Sequence, residues 1–178
     1  MPPVDLDDWL PQPQIRTRHR RTAHVDADRL WAGAQAVRLR ESPALGRVVR
    51  WRLPGTPAGA TYQELFASYP FVVLDSGERF SLSGLCGKVW TLARDYPRIG
   101  DVEEFRAWDK PGTVRVVFAH WTEPDGDGRA VLVSESRIEA VDRRAALRTR
   151  ALWTVVGQFE RLIGREALRA AVRAAERA

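Results

Sequence analysis

Hydrophobic and polar positions along the chain follow two rhythms, and each predicts one kind of element. Runs of β-favouring residues dominate "TVRVVFAHWTEPDGDGRAVLVSESRIEAV" from Thr113, where two of them flank a turn rich in Pro, Asp and Gly. Such a pattern predicts a hairpin of adjacent antiparallel strands. "FVVLDSG" from Phe71 and the following "ERFSLSGLCGKVW" predict a second hairpin. "DVEEFRAWDKPG" is expected as a further strand ending at the Pro111-Gly112 turn, against the poor strand preference of Glu103 and Glu104. A first strand is expected from Ile15 to His24.

The other rhythm has steps of three and four. Asp26 is placed to cap a helix carrying Leu30, Trp31, Ala34 and Val37 on one face. A short second helix starts near Pro43, where a missing N–H does no harm, and "LPGTPAGA" ends it. Asp142 then caps a long helix with an apolar stripe of Leu147, Ala151, Leu152, Val155, Val156, Phe159, Leu162 and Ile163. From Arg143 to Ile163 it would run about 32 Å at roughly 1.5 Å per residue. Gly157 inside it costs about 1 kcal/mol relative to Ala unless the helix bends or is closely approached, and a bend is expected there. The order is strand, one or two short helices, several antiparallel strands, one long helix. Residues 1–14, with four prolines and with Trp9 and Leu10 too few to bury much, are expected as a mobile or loosely docked tail. Residues 15–178 then form a single domain.

Composition narrows the classes. A chain of 178 residues, 44% hydrophobic and 29% charged, suits one soluble globular domain. No apolar run approaches the roughly 20 residues of a membrane span, and the acidic, proline-rich start is unlike a secretory signal, so the expected compartment is the cytoplasm. A lone cysteine, Cys86, leaves no partner for an internal disulfide and no Cys-rich metal site. A net charge of +5 raises the question of nucleic acid. Many arginines lie on the last helix, yet Asp142, Glu160, Glu166 and Glu176 interrupt any continuous phosphate track, so nucleic acid is the weaker partner.

The element order and particular residues resemble the START-like, or SRPBCC, superfamily, and more narrowly its stand-alone bacterial polyketide cyclase-like proteins. The residues that carry the likeness are "RHRRTAHVDADRLWAGA", "RLPG" at Arg52 to Gly55, "GLCGKVW" at Gly84 to Trp90, "EPDGDG" before "LVSESRIEAVD", and the terminal "LWTVVGQFERLIGREALRAAVRAAE". The likeness spans roughly residues 15 to 177. It implies an α+β helix-grip fold, a curved antiparallel sheet wrapped around the C-terminal helix, with a cavity between them closed by the short helices. It does not fix an activity.

Several residues are candidates for lining that cavity. On the last strand Val131, Val133, Glu135 and Arg137 share one face and Leu132, Ser134, Ser136 and Ile138 the other, and the periodicity leaves open which points inward. If the first set does, Glu135 and Arg137 stand about 7 Å apart, near enough to pair and to orient a polar end of a ligand. Otherwise they form a solvent-facing pair worth little. His120 is suited to proton transfer, though a histidine without an identified partner is usually structural. Trp90, Trp121 and Trp153 are the preferred aromatic candidates, with Leu152, Val156 and Phe159 on the helix side. His19 and His24, five apart on a strand, face opposite ways and do not share a metal. No metal-binding, nucleophile-elbow or phosphate-loop motif occurs, and neither a metal nor a cofactor is expected. Three functions follow: non-covalent binding of a small hydrophobic or aromatic molecule, a cyclase, aromatase or dehydratase using His120, an arginine or Tyr96, and a basic surface for nucleic acid. The catalytic residues, the ligand's identity and the oligomeric state are not fixed by the sequence.

Overall fold

The structure is a computed structural model describing residues 5–53, 55–91 and 96–177, without the side chains of residues 158 and 159. In chain order the elements are β1 (Ile15–Ala23), α1 (Ala27–Ala36), a 3-10 turn (Leu39–Glu41), α2 (Pro43–Arg52), α3 (Tyr62–Phe66), β2 (Val72–Gly77), β3 (Phe80–Gly87), α4 (Val102–Arg106), β4 (Val114–Pro124), β5 (Ala130–Ala140) and α5 (Arg143–Arg177). The strands form one antiparallel sheet in the order β1-β5-β4-β3-β2. It is an α+β helix-grip fold, with the curved sheet wrapped around α5.

The turns sit where their residues demand. Between β4 and β5, Gly126 and Gly128 take φ of 72° and 71°, values that favour glycine, and the Asp125 N–H donates to the Arg129 carbonyl across the turn. Asp26 caps α1 by accepting from the Arg29 N–H at 2.8 Å. Asp142 accepts from the Ala145 N–H at 2.7 Å and starts α5.

Helix α5 continues unbroken through Gly157 and Gly164 for 35 residues, about 52 Å at roughly 1.5 Å per residue. At Gly157 a Cβ would lie 2.9 Å from Nε1 of Trp153, so glycine leaves room for that ring. The C-terminal third of α5 packs Leu168, Ala171, Val172 and Ala175 against Leu30 and Val37 of the α1 region and Ala130 and Leu132 of β5. At the crossing with α1, a Cβ on Gly33 would stand 2.8 Å from backbone atoms of Ala175, so glycine sets how closely the two helices approach.

Two expectations are corrected. "VEEFR" is helix α4, not a strand: Asp101 accepts from the Glu104 N–H at 2.8 Å, so the Glu pair occupies the first turn, where carboxylates suit the helix dipole. The N-terminal segment, expected as loosely docked, has Leu6, Trp9 and Leu10 buried. They join Phe105 of α4, Leu82 of β3, Val117 and Trp121 of β4 and Val133 of β5 in the largest core cluster, on the face of the sheet away from α5. Both faces of the sheet are therefore covered. Few apolar residues suffice because the sheet brings many more to meet them.

Candidate functional site

The face of the sheet turned toward α5 bounds a cavity of about 980 Å³. Strand alternation decides its floor: Leu132, Ser134 and Ser136 of β5 line it together with Phe118 and His120 of β4. The far wall is α5, through Trp153, Val156, Glu160 and Ile163, and α1 adds Trp31. Helices α2 and α3 close it with Leu45, Tyr62 and Phe66. Val48, Trp51 and Leu162 both line the cavity and are exposed, which places its mouth between α2 and α5.

A minority of the lining is polar, and each polar group has a distinct setting. His19 of β1 meets Glu160 of α5 through Nε2 at 2.8 Å. Gly164 makes that approach possible, because a Cβ there would lie 2.5 Å from the His19 ring. Beside it, the hydroxyls of Thr17 and Ser136 share a hydrogen bond of 2.7 Å. His120 is packed against the Phe66 ring at 4.9 Å between centroids, and burial pushes its pKa down to about 4, so the imidazole is neutral at pH 7. Tyr62, an acid of ordinary pKa 10.0, is pushed up to about 12 by burial. Its hydroxyl is close enough to Ser42 to be influenced by it, but the two make no hydrogen bond of good geometry.

The sequence candidates divide between the two faces. His120, Trp153 and Val156 line the cavity. Glu135 and Arg137 do not; they lie on the outer face, where Arg137 Nε donates to Glu135 Oε1 at 2.8 Å, both residues are buried, and Arg137 also pairs with Asp7 of the N-terminal segment. Thus the pair is neither turned to the cavity nor solvent-facing: the N-terminal segment covers it. Trp121 is on that same outer face, 2% exposed, its Nε1 donating to Glu123 at 2.6 Å and its ring under the Arg18 guanidinium. Trp90 packs against the Leu85, Tyr96, Val114 and Val116 cluster, and Leu152 is half-buried outside the lining. The side chain of Phe159 lies outside the described residues. Tyr96 is buried away from the cavity, its hydroxyl accepting from Arg52. Cys86 is fully buried on the outer face, and burial pushes its thiol up to about 12, which leaves it unreactive.

Sequence reasoning missed His19 with Glu160, and also Tyr62 and Phe66, and left open whether Ser134 faces inward. A signal for part of this existed. The "EPDGDG" turn fixes the β4–β5 register, which sets His120 opposite Ser134. For α3 the signal was the Thr61-x-x-Glu64 capping box, satisfied in both directions. Among the described residues, no group of three or more His, Cys, Asp or Glu side chains is placed to hold a metal ion. No described helix is long and apolar enough to cross a membrane.

No protein-family model matches the chain, and no curated protein matches it. Among solved structures, the chain is similar to a hypothetical protein from Helicobacter pylori, at 9% identity over 98% of this chain and 96% of that one, with a TM-score of 0.48. It is also similar to the Zhui aromatase/cyclase from a Streptomyces species, at 13% identity over 92% of this chain and 94% of that one, with a TM-score of 0.35. Both likenesses are distant, and the activity named for the second is that protein's own.

Proposed function

We propose that the chain is a START-like protein that binds a small hydrophobic or aromatic molecule, non-covalently, in the cavity between sheet and α5. The observation that carries this reading is a cavity of about 980 Å³, at the upper end of the range for small-molecule sites, whose walls are mainly aromatic and aliphatic with a few convergent polar groups. Exposed apolar side chains at its mouth, Trp51 at 52% and Leu162 at 71%, are what an apolar ligand would cross on entry. The test is native mass spectrometry of freshly purified protein, followed by titration with naphthalene at low and high salt. One molecule per chain, with an affinity unchanged by salt, is the expected result. Failure to take up any apolar molecule defeats the reading, and binding that needs low salt would favour the arginine-rich surface and nucleic acid instead.

A second reading is favoured by one observation. The His19–Glu160 pair and neutral His120 border the same cavity. A cyclase, aromatase or dehydratase needs a proton donor and an acceptor around one bound molecule, and these residues supply both chemistries. Turnover of a poly-carbonyl substrate, lost in both His19→Ala and His120→Ala, is the result that would establish it over simple binding.

A further inference from the structure

We propose that the cavity selects uncharged, oxygen-bearing apolar molecules, whose hydroxyl or carbonyl groups lie along one row of side chains crossing the sheet. This deepens the binding reading above and rests on it. The row follows from register alone. His19 of β1 stands opposite Ser134 of β5, Ser134 opposite His120 of β4, His120 opposite Ser81 of β3, and Ser81 opposite Ser76 of β2. All five line the cavity. Neighbouring strands are about 4.8 Å apart, so the row extends about 19 Å. On β4 and β5 the flanking inner-face positions hold Phe118 beside Ser136 on one side of the row and Leu132 beside Thr122 on the other, and the Ser136 and Thr122 hydroxyls are already hydrogen-bonded, to Thr17 and to the Ala27 carbonyl, so the polar groups left open form a line.

Most of this row is unsatisfied. His19 is held by Glu160. His120, Ser134 and Ser81 have no side-chain hydrogen bond among the described residues, and each is part-buried with its accessible surface on the cavity. A ligand of pure hydrocarbon would press against these groups and strip their water without replacing it. An oxygen function set on the row replaces that water, and sites built this way reject analogues lacking the group.

Charge is selected in the same way. His120 is kept neutral by burial, which pushes it down to about 4. Glu160 adds a carboxylate beside His19, which repels a second one. Among the described lining residues Arg47 is the one Lys or Arg, and it is exposed on α2, away from the sheet. A carboxylate laid on the row therefore meets no compensating cation. A hydroxyl or carbonyl can donate to or accept from serine and imidazole alike.

The test is equilibrium dialysis of naphthalene, naphthol and naphthoate against the intact protein at pH 7. Naphthol is expected to bind about tenfold more tightly than either of the others, the worth of roughly one to two net hydrogen bonds. His120→Phe and Ser134→Ala are each expected to shrink that advantage, read as the ratio of naphthol to naphthalene affinity measured on the same variant. The wild-type ranking stands even if a variant fails to fold. Naphthoate binding as well as naphthol, or an undiminished naphthol advantage in both folded variants, overturns the proposal and leaves apolar binding intact. If none of the three binds, both readings fall.

Discussion

At the residue scale, Glu135 and His120 show how burial on opposite faces of one sheet gives polar groups opposite fates. Glu135 is paired with Arg137 at 2.8 Å, and Arg137 reaches on to Asp7, so the charge is desolvated and fully partnered. Removing one member strands the other. Glu135→Ala is expected to lower unfolding free energy by about 3 kcal/mol or more in chemical denaturation. A loss below about 1 kcal/mol would place the pair in effective contact with water. His120 has no such partner, and burial depresses its pKa from 6.5 to about 4. The unfolded chain then binds the proton first, so this residue's share of stability is complete above about pH 6.5 and declines as pH falls, being lost by about pH 4. The gap corresponds to about 3 kcal/mol at most, reduced by whatever water enters the cavity. Comparing wild type with His120→Gln across that window isolates it from the carboxylates: the variant's stability should fall less steeply.

At the element scale the long helix is legible in the sequence and its glycines are not. The apolar stripe and Asp142 predict α5 from composition and spacing. Whether a glycine inside it means a bend or a close approach depends on what stands opposite, and that is a tertiary fact. At Gly164 the His19 ring stands opposite; at Gly157 it is Trp153 from the same helix, one turn back. Gly164→Ala should push the His19 ring aside and break its bond to Glu160, destabilising by about 1–3 kcal/mol despite the better helix propensity of alanine. A gain in stability would mean that His19 moves freely. Helix α4 shows the same limit from the other side: "VEEFR" reads as part of a strand until Asp101 is seen capping a helix there.

Taken as a whole, the molecule has two buried layers, and the alternation of β4 and β5 could not tell them apart because both faces carry apolar and polar residues. The outer layer is completed by the N-terminal segment, through Leu10, which is wholly buried, with Leu6 and Trp9 beside it. Leu10→Ala is expected to cost about 2–5 kcal/mol and to lower the melting temperature. An unchanged melting temperature would mean that the segment is dispensable. The cavity described above lies on the α5 side, where lining residues come from all five strands and the helices. Of the candidate site residues whose side chains are described, His120, Trp153 and Val156 line it.

By itself the sequence determined the strands, α1, α2 and α5, the two hairpins and the Asp26 and Asp142 caps, since periodicity and turn chemistry act over a few residues; the grip of a curved sheet on one helix was what the family resemblance implied. Only the tertiary structure decided which strand face meets the cavity, that His19 finds Glu160 across 141 positions, and that the N-terminal segment covers Glu135 and Arg137. These depend on what lies across the fold, and a period of two is the same whichever face is turned inward.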